Sequence, residues 1–216
     1  MPRRALVEKR PYLLASIAAA VAFYLLDGGA LGELYVALIK GAAVGMLAVY
    51  AWHRSPSRDV HLIAAVMAVA ALADMVIEFY EVEGGALFFV SHLLALTLYL
   101  QPHNRRKVLT ASQKAAAVAL LLLTPLAAFL LSRDTSVALY ALSLGAMAAA
   151  AWTSRFSRYH LGIGALLFVA SDLLIFARMG GALTEVAGWL VWPTYYVGQF
   201  LICTGVVQTL RRDHQA

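Results

Sequence analysis

Three things are scarce or missing in this chain. Cysteine occurs once, as Cys203 inside an apolar stretch, which excludes a disulfide framework and a thiolate zinc site. Without a neighbouring base in sequence, that thiol reads as small core filler, not as a nucleophile. Charge is thin: Asp, Glu, Lys and Arg make up 13% of the 216 residues, against 62% hydrophobic. No soluble domain of this size hides so much apolar surface. Ten-residue segments alternating apolar and polar positions are also missing, which excludes an outer-membrane barrel.

What is present is a series of apolar runs long enough to cross a bilayer, in a chain of mean hydropathy +0.76. Eight are predicted, at about 11–26, 33–52, 60–80, 85–101, 112–131, 136–153, 161–178 and 187–209. The loops between them are too short for another domain. The expected fold is therefore an all-α integral membrane protein, an eight-helix transmembrane bundle forming one domain over 1–216.

Loop charge predicts the orientation. Lys and Arg at 3, 4, 9, 10, 54, 58, 105, 106, 107, 114, 155, 158, 211 and 212 all fall on one side of an eight-span path. The other side holds Arg133 and Arg178 among Asp27, Glu33, Glu81, Glu83, Asp134 and Glu185. That asymmetry places both termini in the cytoplasm of a multi-pass protein of the cell (inner) membrane. It also accounts for the basic excess without nucleic acid, since such residues set topology and meet anionic headgroups. A cleaved signal peptide at 1–30 is disfavoured, because removing the first span would spoil the alternation.

Against this background Lys40, Asp74, His92 and Asp172 stand out, each inside a different apolar run. A charge at mid-bilayer costs about 2.5–3.5 kcal/mol on insertion scales, so such residues mark a functional site with one another as partners. Their depths agree. Lys40 is expected about 10 Å into its helix, with His92 at a similar depth, and Asp74 and Asp172 about six residues from the same face. One pocket explains that layer better than scattered charges do. The blander readings are specific: Lys40 snorkelling along its stem, the aspartates as hydrogen-bonding glue between spans, His92 as a packing residue. Glu78 shares the Asp74 face but falls near a helix end, where headgroup water suffices for it.

A parallel 4+4 repeat is also read, with halves 1–108 and 109–216. Ala73-Asp74 precedes Phe88-Phe89-Val90-Ser91-His92, and Ser171-Asp172 precedes Tyr195-Tyr196-Val197-Gly198-Gln199. Each half runs small–Asp, then aromatic–aromatic–Val–small–polar.

At these same residues the chain resembles the lysoplasmalogenase (YhhN-like) family of multi-span membrane proteins. The resemblance rests on Lys40-Gly41, Ala73-Asp74, Gly85 through Phe88, Phe89 and His92, then Phe168-Val169-Ala170-Ser171-Asp172, then Tyr195, Tyr196 and Gln199. It covers about residues 36–205. Gly41, Ala73 and Ala95 depart from the family's Pro, Gly and Tyr. The resemblance implies hydrolysis of the vinyl-ether bond of a lysoplasmalogen-type lysophospholipid, giving a fatty aldehyde and a glycerophospho-base.

Vinyl-ether cleavage starts by protonating the β-carbon, and water then captures the oxocarbenium ion. Two carboxyl groups in different environments suit that work. Asp74 and Asp172 are the expected catalytic pair, with Lys40 holding one of them ionised. His92, Tyr195, Tyr196, Gln199, Phe88 and Phe89 are the expected substrate-binding set. No cofactor, no metal, no nucleic acid and no protein partner is called for; the expected partners are the lysophospholipid substrate and membrane lipids. A serine-hydrolase reading lacks a nucleophile motif, and a zinc hydrolase would want more histidines in the layer. The alternatives are a small proton-coupled transporter and a non-catalytic lipid-binding membrane protein.

Overall fold

The structure is a computed structural model and describes residues 10–54, 57–101 and 108–213. Arg3, Arg4, Lys9, His103, Arg105, Arg106 and Lys107 lie outside the described residues. Eight long helices account for nearly all the described chain: α1 Arg10–Leu26, α2 Glu33–Trp52, α3 Arg58–Val76, α4 Glu81–Tyr99, α5 Ala111–Ser132, α6 Thr135–Thr153, α7 Ile163–Met179 and α8 Thr184–Asp213. Seven are long and apolar enough to cross a membrane, the π-helical stretch Arg158–Gly162 lengthening α7; α1, at 17 residues, is shorter. The architecture is all-helical, as expected of a multi-pass membrane protein.

Side chains that a soluble protein would hide face outward, among them Leu25, Val82, Leu122, Leu126 and Trp189. Lipid is no worse a solvent for leucine than another leucine, so the interior is built on small residues that let backbones approach. Ala43, Ala51, Ala64 and Ala70 are fully or nearly fully buried in α2 and α3. Between α5 and α6, a Cβ at Gly145 would stand only 2.7 Å from the Leu120 carbonyl oxygen. Ser16 Oγ donates to the Ala43 carbonyl at 2.5 Å, tying α1 to α2.

The helix starts follow local chemistry. Ser57 caps α3 by accepting from Val60 N–H, and Thr110 with Gln113 forms a reciprocal capping box on α5. Asp134 caps α6 through Ser136, whose hydroxyl and backbone N–H both donate to its carboxylate at 2.7 Å. Those bonds hold the Asp134 carboxyl below the ordinary carboxylate range.

The boundary between the third and fourth helices differs from the sequence expectation. α3 ends at Val76 and α4 already starts at Glu81, instead of a break between 80 and 85. Glu81 and Glu83 interrupt the apolar run, yet acidic residues favour the first turn of a helix, where the backbone dipole is positive. Gly84 makes the tight turn feasible, since any Cβ there would strike the Ile77 backbone. Asp74 is thus two residues from the end of its α-helix, and His92 is about 16 Å along its own.

The chain divides into two compact units, Met1–Leu94 with Cys203–Ala216, and Ala95–Ile202. Each carries its own polar set.

Candidate functional site

In the first unit α3 presents a buried stripe at Val60, Ile63, Met67, Ala70 and Asp74, spaced by three or four residues. Asp74 is 1% exposed, so its carboxyl belongs to the interior. On α4 the matching stripe is Phe88, Ser91, His92 and Ala95, all buried. Ser91 Oγ donates to the Val66 carbonyl on α3 at 3.1 Å, which fixes the rotation of α4 and with it His92. Phe89, one residue round the helix from Phe88, is 38% exposed; adjacent helical residues cannot share a face, so the two phenylalanines part.

Lys40 in α2 meets Glu78, with Nζ to Oε1 at 2.5 Å. Its ammonium also lies 5.4 Å from the ring centre of Phe23 on α1, within cation–π range. Neither charged side chain is fully buried, at 16% and 27% exposed. Gly41 allows the approach: a Cβ there would fall 3.0 Å from the Ala71 carbonyl oxygen and collide with Met75. Glu78 lies just past the end of α3, so the lysine stem is directed toward that helix end, the snorkelling direction the sequence argued against.

The second unit holds Asp172, 5% exposed, on an α7 stripe with Ala165, Phe168, Val169 and Phe176. Tyr140 of α6 donates its hydroxyl to Asp172 Oδ2 at 2.7 Å. The Tyr140 ring in turn packs edge-on against Phe176 at 6.0 Å. The neighbouring Ser171 Oγ donates to the Val191 carbonyl of α8 at 3.1 Å, two residues before the helix-interior Pro193. The backbones of α7 and α8 close on each other at two glycines, where a Cβ on Gly198 would sit 2.8 Å from the Gly164 carbonyl oxygen.

That crossing presents α8 to the Asp172 helix. Gln199 Nε2 donates to the Tyr195 hydroxyl at 3.3 Å, one helical turn away. Tyr195 packs against Phe168 at 5.2 Å and Trp192 at 5.7 Å, while Tyr196 lies between Trp192 and Phe200. Tyr195, Tyr196 and Gln199 are all buried. The result is a carboxyl held by a phenol in one packed set with an aromatic wall and an amide.

A family model matches residues 35–206, a span that includes every residue of both sets except Phe23. The chain belongs to the YhhN family. No curated protein and no solved structure matches it. YhhN proteins include lysoplasmalogenases, so the ionisable residues inside these spans belong to a family with lipid-hydrolysing members.

Two residues of these sets escaped the sequence reading in their present roles. Glu78 shares the Asp74 face in sequence, where headgroup water would suffice for it, yet it closes an ion pair with Lys40. Tyr140 carries no signal in its own segment. It starts about 8 Å into α6, while Asp172 lies about 10 Å before the end of α7, and that shared depth is the signal that points to it.

Proposed function

We propose that this YhhN protein hydrolyses the vinyl-ether bond of a lysoplasmalogen-type lysophospholipid by carboxyl acid–base chemistry within the membrane. The observation that carries this reading is the buried Asp172, gripped at Oδ2 by Tyr140 and packed in the family-matched span. A carboxyl oriented by a second group is the arrangement that positioned proton transfer needs.

The reaction proceeds in balanced steps. A carboxylic acid delivers its proton to the β-carbon of the vinyl ether, and the electron pair of the double bond forms the new C–H bond. The resulting oxocarbenium ion takes the oxygen of water at its α-carbon while a carboxylate accepts the released proton. The hemiacetal then breaks its C–O bond to the glycerol, its hydroxyl proton going to a carboxylate while a carboxylic acid protonates the departing glycerol oxygen, giving a fatty aldehyde and the glycerophospho-base. Asp74 and Asp172 are the carboxyls assigned to this work. Oδ2 of Asp172 is taken by the Tyr140 hydroxyl, and Oδ1 is the oxygen assigned to the substrate side. Lys40 supplies positive charge balanced by Glu78, and His92, Gln199, Tyr195 and Tyr196 orient water or the ether oxygen. Phe88 contributes apolar wall, and Phe89 meets lipid.

The same reading places both termini in the cytoplasm of the cell membrane, since the basic loops fall on one side. Cysteine labelling that found residue 30 or residue 83 in the cytoplasm would overturn that orientation.

Purified protein in detergent micelles, given a 1-alkenyl lysophospholipid, is expected to release free fatty aldehyde. Hydrolysis needs no sealed compartment, whereas transport does. Absence of aldehyde, together with solute movement across proteoliposomes, would replace the hydrolase with a carrier.

A further inference from the structure

A groove of about 480 Å³ runs along the second unit, bordered by α5 on one side and α7 on the other, with Trp152 of α6 at one end. Its α5 wall sets the small side chains Ala116, Ala119 and Ala127 beside two leucines and a threonine, and its α7 wall includes Leu166 and Leu173. Toward the far end α5 and α7 close up, because the Gly180 α-carbon lies against the Leu131 carbonyl. Away from that contact the alanines leave the space that larger residues would fill. From Ala116 to Ala127 the groove rises about 16 Å, close to the ~15 Å depth of one leaflet's hydrocarbon.

The two ends are chemically unlike. Lys114 stands two residues before Ala116 and is exposed. Arg158 opens the π-helical turn that packs on Trp152: at Gly162, the last residue of that turn, the site of a Cβ is 2.9 Å from the Trp152 ring and 3.6 Å from Arg158 Cβ. Arg155, nearby in sequence, is instead turned over the Phe156 ring at 4.8 Å. No Asp or Glu occurs anywhere from residue 84 to 133 or from 135 to 171, so nothing acidic on α5, α6 or the start of α7 offsets these cations. Topogenic lysine and arginine need no groove beside them. An apolar groove one leaflet deep, with Lys114 and Arg158 toward one end on helices that carry no acid there, matches an anionic lipid in both parts.

We propose that this groove is a binding site for an anionic phospholipid of the bilayer, with one acyl tail along α5 and α7 and its phosphate at Lys114 and Arg158. The groove is lined by Val169 and Leu173 on the helix that carries Asp172, but the proposal does not depend on what the protein hydrolyses. Anionic lipid concentrates in the leaflet that basic loops face, so the ligand would be at hand.

The test uses the full-length protein in detergent, with dioleoyl phosphatidylglycerol and dioleoyl phosphatidylcholine as probes and native mass spectrometry as the readout. The wild type should retain phosphatidylglycerol in preference to phosphatidylcholine. Lys114→Gln and Arg158→Gln should each weaken phosphatidylglycerol retention about five-fold and leave phosphatidylcholine unchanged. Ala119→Phe, which fills the groove, should remove both lipids without lowering the melting temperature. Equal retention of the two lipids by the wild type would overturn the proposal, as would glutamine variants that keep the preference. Neutral, single-tailed lysophosphatidylcholine binding as tightly as phosphatidylglycerol would also overturn it, because it would make the groove a substrate-tail site.

Discussion

Asp74 and Asp172 occupy similar places in sequence, each after a small residue on a buried helical stripe, yet their surroundings differ. The first unit contains a positive charge, and Lys40 there is answered by Glu78. In the second unit the partner of the carboxyl is neutral, the hydroxyl of Tyr140. The first unit's ammonium is balanced by a carboxylate of the same unit, whereas Asp172 is held by a neutral donor. Acid–base division of labour needs two carboxyls whose surroundings set them apart, and the variants below measure whether Asp74 and Asp172 are such a pair.

Substituting the aspartates should have the largest effect. Asp74→Asn and Asp172→Asn should each fold and extract normally while losing about 10²–10⁴-fold in turnover of a vinyl-ether substrate. Unequal losses would sharpen the contrast between the units; a variant with near-normal rate would show its aspartate to be interhelical glue. Tyr140→Phe comes next. It keeps the ring that packs on Phe176 but removes the hydrogen bond to Asp172, so turnover should fall about 10–100-fold. An unchanged rate would mean that the phenol does not set the second unit apart.

The ion pair should give a smaller effect, seen first in stability. Lys40→Met or Glu78→Gln alone should destabilise by about 1–3 kcal/mol, between the values for exposed and buried pairs because both side chains retain some exposure. The double variant should recover most of that loss in a thermal melt, leaving any shared effect on rate attributable to the missing positive charge. No recovery would show that the two side chains do not act as a pair. Asp134 should give the smallest effect. Its carboxyl is held below the ordinary range, so its stabilisation is present above the unfolded value and disappears as pH falls through the folded one. The melting temperature of wild type should exceed that of Asp134→Ala slightly between about pH 5 and 7, and the two should converge as pH falls through the lowered carboxyl value. A difference that persisted in acid would assign the cap to geometry alone.

Much of the fold was legible because apolar length and loop charge are local properties. Most helix starts and ends fall within three residues of expectation; α8 runs four residues further, and the end of α3 and start of α4 each come four residues early, because Glu81 and Glu83 favour a helix start. Burial of Asp74, His92, Asp172 and Gln199 was equally readable, since an ionisable or amide group amid apolar residues has few places to go. Their partners were not. Lys40 and Glu78 are 38 residues apart and Tyr140 and Asp172 are 32 apart, and such pairs depend on the rotation of one helix against another. That rotation is set by features like the Ser91–Val66 and Ser171–Val191 hydrogen bonds and the Gly41, Gly164 and Gly198 contacts. In a single sequence a glycine that admits a neighbouring helix looks the same as one that does not.

The central claim is that a carboxyl of this protein protonates the vinyl-ether carbon. The most direct measurement is hydrolysis of a 1-alkenyl lysophospholipid by the purified wild type in D₂O, with mass spectrometry of the trapped aldehyde. One deuterium on the carbon next to the aldehyde group, formed at a rate that collapses in Asp172→Asn, is the predicted result. Aldehyde without deuterium at that carbon, or a labelled product formed as fast by Asp172→Asn, would contradict the account.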